Sequence, residues 1–335
     1  MPSSIVLNYQ QRQKNLKIRT QVEYGIRSFF LEKGFQEVRT PLLVSSPGVE
    51  VHIQPFQVHS DSPLFLPTSP EFGMKKLLCM GEKKIFQLAS SFRDEPNSTT
   101  HRPEFTCLEW YDTDGLEAIY RQTEALCLFL SNKIKNSTEV SYQGQVIDLS
   151  SPWPRHSVQE LFQKHLNFKL KSNTPIEKLV ELCHAFRIST NSDDDWDDLY
   201  FKLWLNEIEP NLDPKRPCFV HSYPTSQSAL AKQFKDAEGC LWANRFEVYV
   251  AGLEIANAYD ELTHVNEQRD RFTKDQVRRK KKYSQDNITI PPLDESLLSL
   301  MENPGLPSCG GIALGVDRLS MLFANAKSIE DVLWL

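Results

Sequence analysis

No stretch of the 335-residue chain approaches the roughly 20 consecutive apolar residues that a membrane-spanning helix needs. The N-terminal residues are polar and mixed, without the apolar core of a secretory leader. No CxxC pair occurs among the seven cysteines, which are scattered singly and argue against a zinc site. An odd, dispersed set fits reduced thiols, so the expected compartment is the cytoplasm. A broad basic excess is also missing. The formal net charge of -6 gives little attraction for phosphates, which makes tRNA an unexpected partner. Internal repeats and low-complexity tracts are absent. What remains is a chain long enough for one large domain or two small ones, and the 40% of hydrophobic residues can fill a substantial core.

The stretch from Phe92 to Tyr111, FRDEPNSTTHRPEFTCLEWY, carries the densest chemistry. The apolar run Ile85, Phe86, Leu88 and Phe92 predicts a strand, and Pro96 and Asn97 mark a polar loop from Asp94 to Arg102. A second strand is expected from Pro103 to Tyr111. Strand side chains alternate, so Phe105, Cys107, Glu109 and Tyr111 share one face, and Thr106, Leu108 and Trp110 the other. Arg93 and Glu95 stand at the mouth of the loop. A ring to stack a base, an arginine for phosphate and carboxylates for an amine are the parts of a nucleotide-plus-amine site.

Around this stretch, residues 12 to 33 read as an amphipathic helix stopped by Gly34, with Leu16, Val22, Ile26, Phe29 and Phe30 on its apolar face. In LPTSPEFGMKKLL, Ser69 is expected to cap a helix that starts near Pro70, and the Glu71 carboxylate can accept from an ammonium. A further helix is expected from Gly115 to Lys135, then a hairpin at Gln143–Gly144 and mostly helical chain from 157 to 210. Asp193, Asp194, Asp195, Asp197 and Asp198 invite a metal-site reading. Acidic residues in the first turn of a helix, with Leu199, Leu203 and Leu205 as its apolar face, account for them without one. Phe219 to Tyr223 is a predicted strand, and Arg245 to Ala258 a hairpin turning at Ala251–Gly252, with Glu254 seven residues before Glu261. The basic run Arg278, Arg279, Lys280, Lys281, Lys282 suits a helix C-terminus, with nucleic-acid binding as the competing reading. In GGIALGVDRLSML, Gly311, Ala313 and Gly315 share a strand face stripped of bulk. Ile312, Leu314 and Val316 face inward, and Asp317 and Arg318 open the last helix.

FRDE, a short loop and PEF resemble motif 2 of class II aminoacyl-tRNA synthetases, and FTCLEWY narrows the resemblance to the lysine-type branch. GFQEVRTPLL, with Pro41, is similar to motif 1, and GGIALGVDRLSML to motif 3. The resemblance implies an α+β fold, a mainly antiparallel sheet flanked by helices. It spans 1–335 as one catalytic domain with an insertion at about 136–215 and no anticodon-binding OB-fold domain. It implies ATP and Mg2+. Arg93 would hold the α-phosphate and Arg318 the γ-phosphate, as the catalytic pair, with adenine stacked on Phe105. Asp94, Glu95, His101, Arg102, Glu254, Ile255 and Gly315 would complete the ATP site, and Glu254 and Glu261 would bind magnesium. Ser69, Pro70, Glu71, Glu109, Tyr111, Asn257, Glu261 and Ala313 would hold the amino acid.

A short, freestanding core of this type resembles the elongation factor P ligases, which attach (R)-β-lysine to a lysine of translation elongation factor P. Ala256 and Ala313 stand where lysyl synthetases usually carry glycine and the ligases alanine. The chain departs from the pattern at Arg102, in place of an asparagine, and at Ala258, Tyr259 and Asp260, in place of a Gly-Phe-His/Ser stretch. The expected activity is ATP-dependent formation of an aminoacyl-adenylate of (R)-β-lysine or lysine, and its transfer to a lysine of elongation factor P, by a homodimer. Competing readings are a truncated lysyl-tRNA synthetase-like enzyme acting on RNA or another acceptor, and a non-catalytic amino-acid-binding regulator.

Overall fold

A 29-residue helix, α1 (Ser4–Glu32), opens the computed structural model, which describes residues 4–48, 50–283 and 289–334. Its buried face carries Leu16, Val22, Ile26, Phe29 and Phe30, the residues the periodicity singled out. The chain leaves it through Gly34 at φ +78°, a conformation that costs glycine nothing.

Nine strands then build one sheet: β1 (Gln36–Glu37), β2 (Lys84–Phe92), β3 (Glu104–Asp112), β4 (Arg155–Ser157), β5 (Cys218–Tyr223), β6 (Gln233–Lys235), β7 (Leu241–Val250), β8 (Leu253–Asp260) and β9 (Gly310–Gly315). Their spatial order is β1-β2-β3-β9-β8-β7-β5-β4, with β6 also pairing β7. The two edge pairs, β1 with β2 and β4 with β5, are parallel; every other pairing is antiparallel. The β7–β8 hairpin turns at Ala251 and Gly252, both at positive φ, as a two-residue turn of this hand requires.

One face of the sheet is closed by α1, α3 (Leu116–Lys135) and α9 (Val316–Ala324). Phe30 of α1 stacks on Phe86 at 4.9 Å and lies 5.1 Å from Trp110, with Leu108, Ile312 and Leu314 alongside. Truncating such an aromatic to alanine typically costs about 3–5 kcal/mol. The opposite face is partly covered by α2 (Glu71–Cys79), α7 (Val265–Lys282) and α8 (Glu295–Leu300), through Phe72, Leu78, Phe272 and Leu297. The uncovered part of that face is the floor of the main cavity.

The segment 136–215 is built into this architecture. Its hairpin (Glu139–Tyr142 with Gln145–Asp148) packs Val140 and Ile147 into the main core, and β4 extends the sheet. Its helices α4 (Val158–Leu166), α5 (Ile176–Ala185) and α6 (Trp196–Leu203) share a second core with Val220 and Tyr249 of the sheet. Leu205, expected on the apolar face with Leu199 and Leu203, is exposed instead. The helix widens into a looser turn at Trp204–Ile208, and Trp204 and Ile208 take the core positions.

The aspartate cluster is structural. Asp195 caps α6 by accepting from the Asp198 N–H, and Asp198 accepts from Asp195 in return. Asp197 accepts from Ser226 at 2.5 Å and from Arg278 at 2.7 Å. Among the described residues no group of three or more His, Cys, Asp or Glu side chains is arranged to hold a metal ion. The basic run is largely engaged at its start. Arg278 is on Asp197, buried Arg279 donates to the Glu50 carbonyl and to Gln54, and Lys282 lies 3.3 Å from Asp198. Among the described residues, intramolecular acceptors thus engage Arg278, Arg279 and Lys282 of the run first open to a nucleic-acid reading, and Lys280 and Lys281 are exposed. Among the described residues no helix is long and apolar enough to cross a membrane.

Candidate active site

A cavity of about 440 Å³ lies on the open sheet face. Phe105, Cys107, Glu109 and Tyr111 all line it, as strand alternation predicted, side by side on the same sheet face with Gly311, Ala313 and Gly315 of β9 and Asn257 and Tyr259 of β8. Register fixes the neighbours: Ala313 sits between Glu109 and Asn257, and Gly311 between Tyr111 and Tyr259. Gly311 is required by space. A Cβ there would lie 2.3 Å from Glu261 Oε1 and 2.3 Å from Tyr111 Cε1.

At one end the cavity is acidic and buried. Glu109 is 2% exposed; its Oε1 accepts from the Tyr111 hydroxyl at 2.6 Å, and its Oε2 has no partner among the described residues. Burial, reinforced by Glu71, pushes its carboxyl well above the ordinary range. Glu71 opens α2. Ser69 is not the capping residue expected; Pro70 holds the cap position, and the Ser69 hydroxyl accepts the Glu71 N–H at 3.3 Å. Pro70 itself does not line the cavity, because it serves as the start of the helix.

One helical turn beyond Glu71, Lys75 Nζ lies 2.6 Å from Glu71 Oε1 and 2.7 Å from Glu261 Oε2. The second contact is an ion pair without hydrogen-bond alignment, and Glu261 Oε1 has no partner among the described residues. Burial lifts Glu261 to about 7 although Lys75 opposes the rise. Lys75 was not a sequence candidate, and neither was Glu50, a cavity-lining carboxylate raised by burial and by Glu71. The Glu71–Lys75 spacing was the available signal for the first.

At the other end lie the arginines. Arg93 sits over the Phe105 ring at 5.0 Å, so the ring expected to stack adenine already carries a guanidinium. Arg93 and Glu95 line the cavity, but Asp94 does not: in extended chain alternate residues point opposite ways, and Asp94 is exposed. Arg318 donates to the Glu254 carbonyl at 2.6 Å and to the Thr100 carbonyl at 3.3 Å, and its Nη2 is 2.7 Å from His101 Nε2. It thereby ties the loop after β2 to β8. Burial and the Arg318 charge hold the His101 imidazole below its ordinary value, so it stays neutral and can accept. Arg102 lines the rim, but its guanidinium is 2.5 Å from Glu330 Oε1 of the C-terminal segment.

Arg19, unsuspected from sequence, braces this end. It pairs with Asp317, which accepts the Thr106 N–H at 2.7 Å, and donates to the Thr106 hydroxyl at 2.8 Å. The start of α9, and with it Arg318, is fixed against β3.

Between the two ends, Asn257 accepts from Arg245 Nε at 2.9 Å and donates to the Tyr259 hydroxyl at 2.8 Å. Tyr259 is thus part of the pocket floor, whereas Asp260 turns away to Lys232 and Asn244, and Ala258 is in the core. Arg245 is itself paired with Glu247, which also accepts from Tyr223 at 2.5 Å and Tyr249 at 2.7 Å. Neither Arg245 nor Glu247 was singled out from sequence. Glu254 and Ile255 both line the cavity. Burial, then the nearby Glu247, raises the Glu254 carboxyl to about 7. A divalent cation among phosphate oxygens would relieve that repulsion, so the donor chemistry fits magnesium at Glu254. Glu261, expected as a second magnesium ligand, stands instead beyond the far end of β8, roughly 20 Å from Glu254 at about 3.3 Å per strand residue, and belongs to the amine end beside Lys75; the carboxylate next to Glu254 is Glu247 of β7.

Comparison with known proteins agrees with this geometry. The family model described as tRNA synthetases class II (D, K and N) matches residues 4–335. The chain is 36% identical over 328 residues to proteins named elongation factor P--(R)-beta-lysine ligase from Pectobacterium atrosepticum and Pectobacterium carotovorum, covering 95% of this chain and 94% of each relative. A Salmonella paratyphi B protein of the same name has the same identity and coverage. With the mostly antiparallel sheet, the glycine-floored cavity and a whole-length match all in agreement, the chain belongs to the class II tRNA synthetase family of the D, K and N type.

Proposed function

We propose that this protein activates (R)-β-lysine, or lysine, with ATP and joins its carboxyl group to a lysine side chain of translation elongation factor P. The observation that carries the reading is Glu109: a buried carboxylate oxygen without a partner, beside the Tyr111 phenol, at the end of a cavity whose other end holds Arg93 and Arg318. A buried acceptor of this kind is costly unless a ligand satisfies it, and an ammonium does so with a charge-assisted bond. The names of the relatives support the same substrate and acceptor.

The chemistry needs no protein nucleophile. Glu109 and Tyr111 bind the distal ammonium; Glu71 and Glu261 receive the other amino group. Ala313 and Asn257 line the path between them, so the substrate carboxylate points toward the arginine end. ATP is a substrate, with Arg93 on its α-phosphate and Arg318 on the γ-phosphate. Glu254, at the phosphate end of the cavity, would hold magnesium, which would supply charge neutralisation there. The substrate carboxylate oxygen forms a bond to the α-phosphorus as the bond to the β-phosphate oxygen breaks, giving aminoacyl-adenylate and pyrophosphate. The neutral amine of the acceptor lysine then attacks the activated carbonyl. An amide forms, AMP leaves, and the amine proton goes to solvent. Positioning and charge stabilisation supply the rate.

A dimer is part of the proposal: Tyr24 and Leu31 on the outer face of α1, and Leu42 and Leu43 after β1, are exposed apolar residues that a second copy would cover. The cytoplasm is the proposed compartment. Intact Arg93 and Arg318 weigh against a non-catalytic regulator. The direct test is ATP–pyrophosphate exchange dependent on a lysine-type amino acid and on magnesium, without RNA. Arg93→Ala or Arg318→Ala should lower the rate by roughly 10²–10³. Absence of exchange in the folded wild type would favour the regulator.

A further inference from the structure

Lys75 is 1% exposed and lies behind the cavity wall, outside the cavity-lining set. It meets Glu71 on its own helix, α2, and Glu261, delivered from just beyond β8. We propose that Lys75 is a positioning residue that sets the charge of the amine pocket: it holds one oxygen of Glu71 and one of Glu261, and leaves a net charge of about -2 for a substrate with two ammonium groups. The proposal rests on the reading of the reaction given above.

The physical basis is charge balance. Glu71, Glu109 and Glu261 crowd one buried space, and carboxylates that close cannot all stay ionised without a cation. Lys75 supplies one fixed positive charge against three negative ones. Two further carboxylates border the cluster, Glu50 beside Glu71 and Asp260 beside Glu261, but each has cations of its own: Glu50 faces Arg93 and Arg279, and Asp260 is paired with Lys232. Burial alone would drive the Lys75 ammonium toward neutrality, but Glu261 and Glu71 outweigh it and keep it charged. Geometry follows from the same contacts. With one oxygen of each carboxylate held from behind, the carboxyl planes are fixed, and Glu261 Oε1 remains to meet the substrate. Lys75 is therefore a built-in partner that the substrate does not displace.

Lys75→Met and Lys75→Arg in the full-length protein test this. For Lys75→Met, the amino-acid KM in pyrophosphate exchange should rise by about 10- to 100-fold, as for loss of other groups that hold a ligand-binding side chain, with ATP KM little changed. Glu71 and Glu261 would then ionise less readily, so the acidic limb of the pH–rate profile should move to higher pH. Lys75→Arg should recover part of both effects. A folded Lys75→Met with wild-type KM and an unshifted acidic limb would overturn the proposal, as would an equal rise in both KM values. A second readout is independent of the reaction. The melting temperature of Lys75→Met should fall further below wild type as pH rises from about 5 to about 8, because the unpaired carboxylates ionise over that range. A difference that is constant with pH overturns the charge-setting role. If the wild type shows no exchange with any lysine isomer, the reaction reading fails, and the melting series still decides on Lys75.

Discussion

Glu109→Gln replaces one carboxylate oxygen by an amide nitrogen at nearly constant volume. The remaining oxygen can still accept from Tyr111 at the observed 2.6 Å, which turns the amide NH2 toward the place of the unpartnered Oε2. A donor then faces the substrate ammonium. Breaking a buried ion pair on one side costs roughly 3–5 kcal/mol. Part of this is offset, because burial and Glu71 hold the Glu109 carboxyl well above its ordinary range and the bare protein must release a proton to bind an ammonium there. Each unit of such a shift is worth about 1.4 kcal/mol. The lower end, roughly 3 kcal/mol, is therefore expected, which is about 100-fold in affinity. In pyrophosphate exchange the amino-acid KM should rise by about that factor while ATP KM stays nearly constant. Titration calorimetry in buffers of different ionisation enthalpy should show proton release on amino-acid binding to the wild type and less with the variant. Stability should hold or improve, since a neutral amide replaces a buried acid. An equal loss of ATP affinity would assign Glu109 to the nucleotide end and refute the argument.

Gly311→Ala should cost roughly 1–3 kcal/mol of stability by overpacking and lower activity further, since its methyl would press on Glu261 and Tyr111 at 2.3 Å; a melt and exchange kinetics check both. Ala313→Gly opens space between Glu109 and Asn257. It should improve kcat/KM for α-lysine relative to β-lysine by roughly 10–200-fold, whereas an unchanged ratio removes Ala313 as a selector. Glu254 and Glu261 are raised from 4.5 to about 7, so the folded state binds more protons than the unfolded state between those values. Their contribution to stability should decline as pH rises through that window, while the amino-acid KM falls as Glu261 ionises. A KM independent of pH around neutrality would contradict it.

The sequence exposes what alternates. The cavity face of β3 and the bare face of β9 follow from the two-residue period alone, and α1 from its apolar spacing, because a period fixes a face whatever the partner. The hairpin turn at Ala251–Gly252 was legible from turn chemistry. Asp94 was misplaced because a run of motif letters hides the alternation that turns every second side chain away. Pairings set by the strand order were not legible. Lys75 reads as part of an ordinary basic helix, and only the β9–β8 neighbourhood brings Glu261 to it. Arg19 meets Asp317 through the same long-range geometry, whereas Arg245 meets Glu247 two residues along one strand face and Asn257 across the β7–β8 hairpin, contacts that alternation allowed but that were not singled out. Arg93 over Phe105 is a side-chain choice that no spacing encodes.

The central claim is that a lysine-type amino acid is activated and passed to a protein. Mass spectrometry of purified elongation factor P, incubated with this protein, ATP, magnesium and (R)-β-lysine or lysine, tests it most directly, with bulk tRNA assayed in parallel. The account predicts that the factor gains the mass of one lysyl-type group on a lysine side chain while the tRNA stays uncharged. Charged tRNA with an unmodified factor would contradict it.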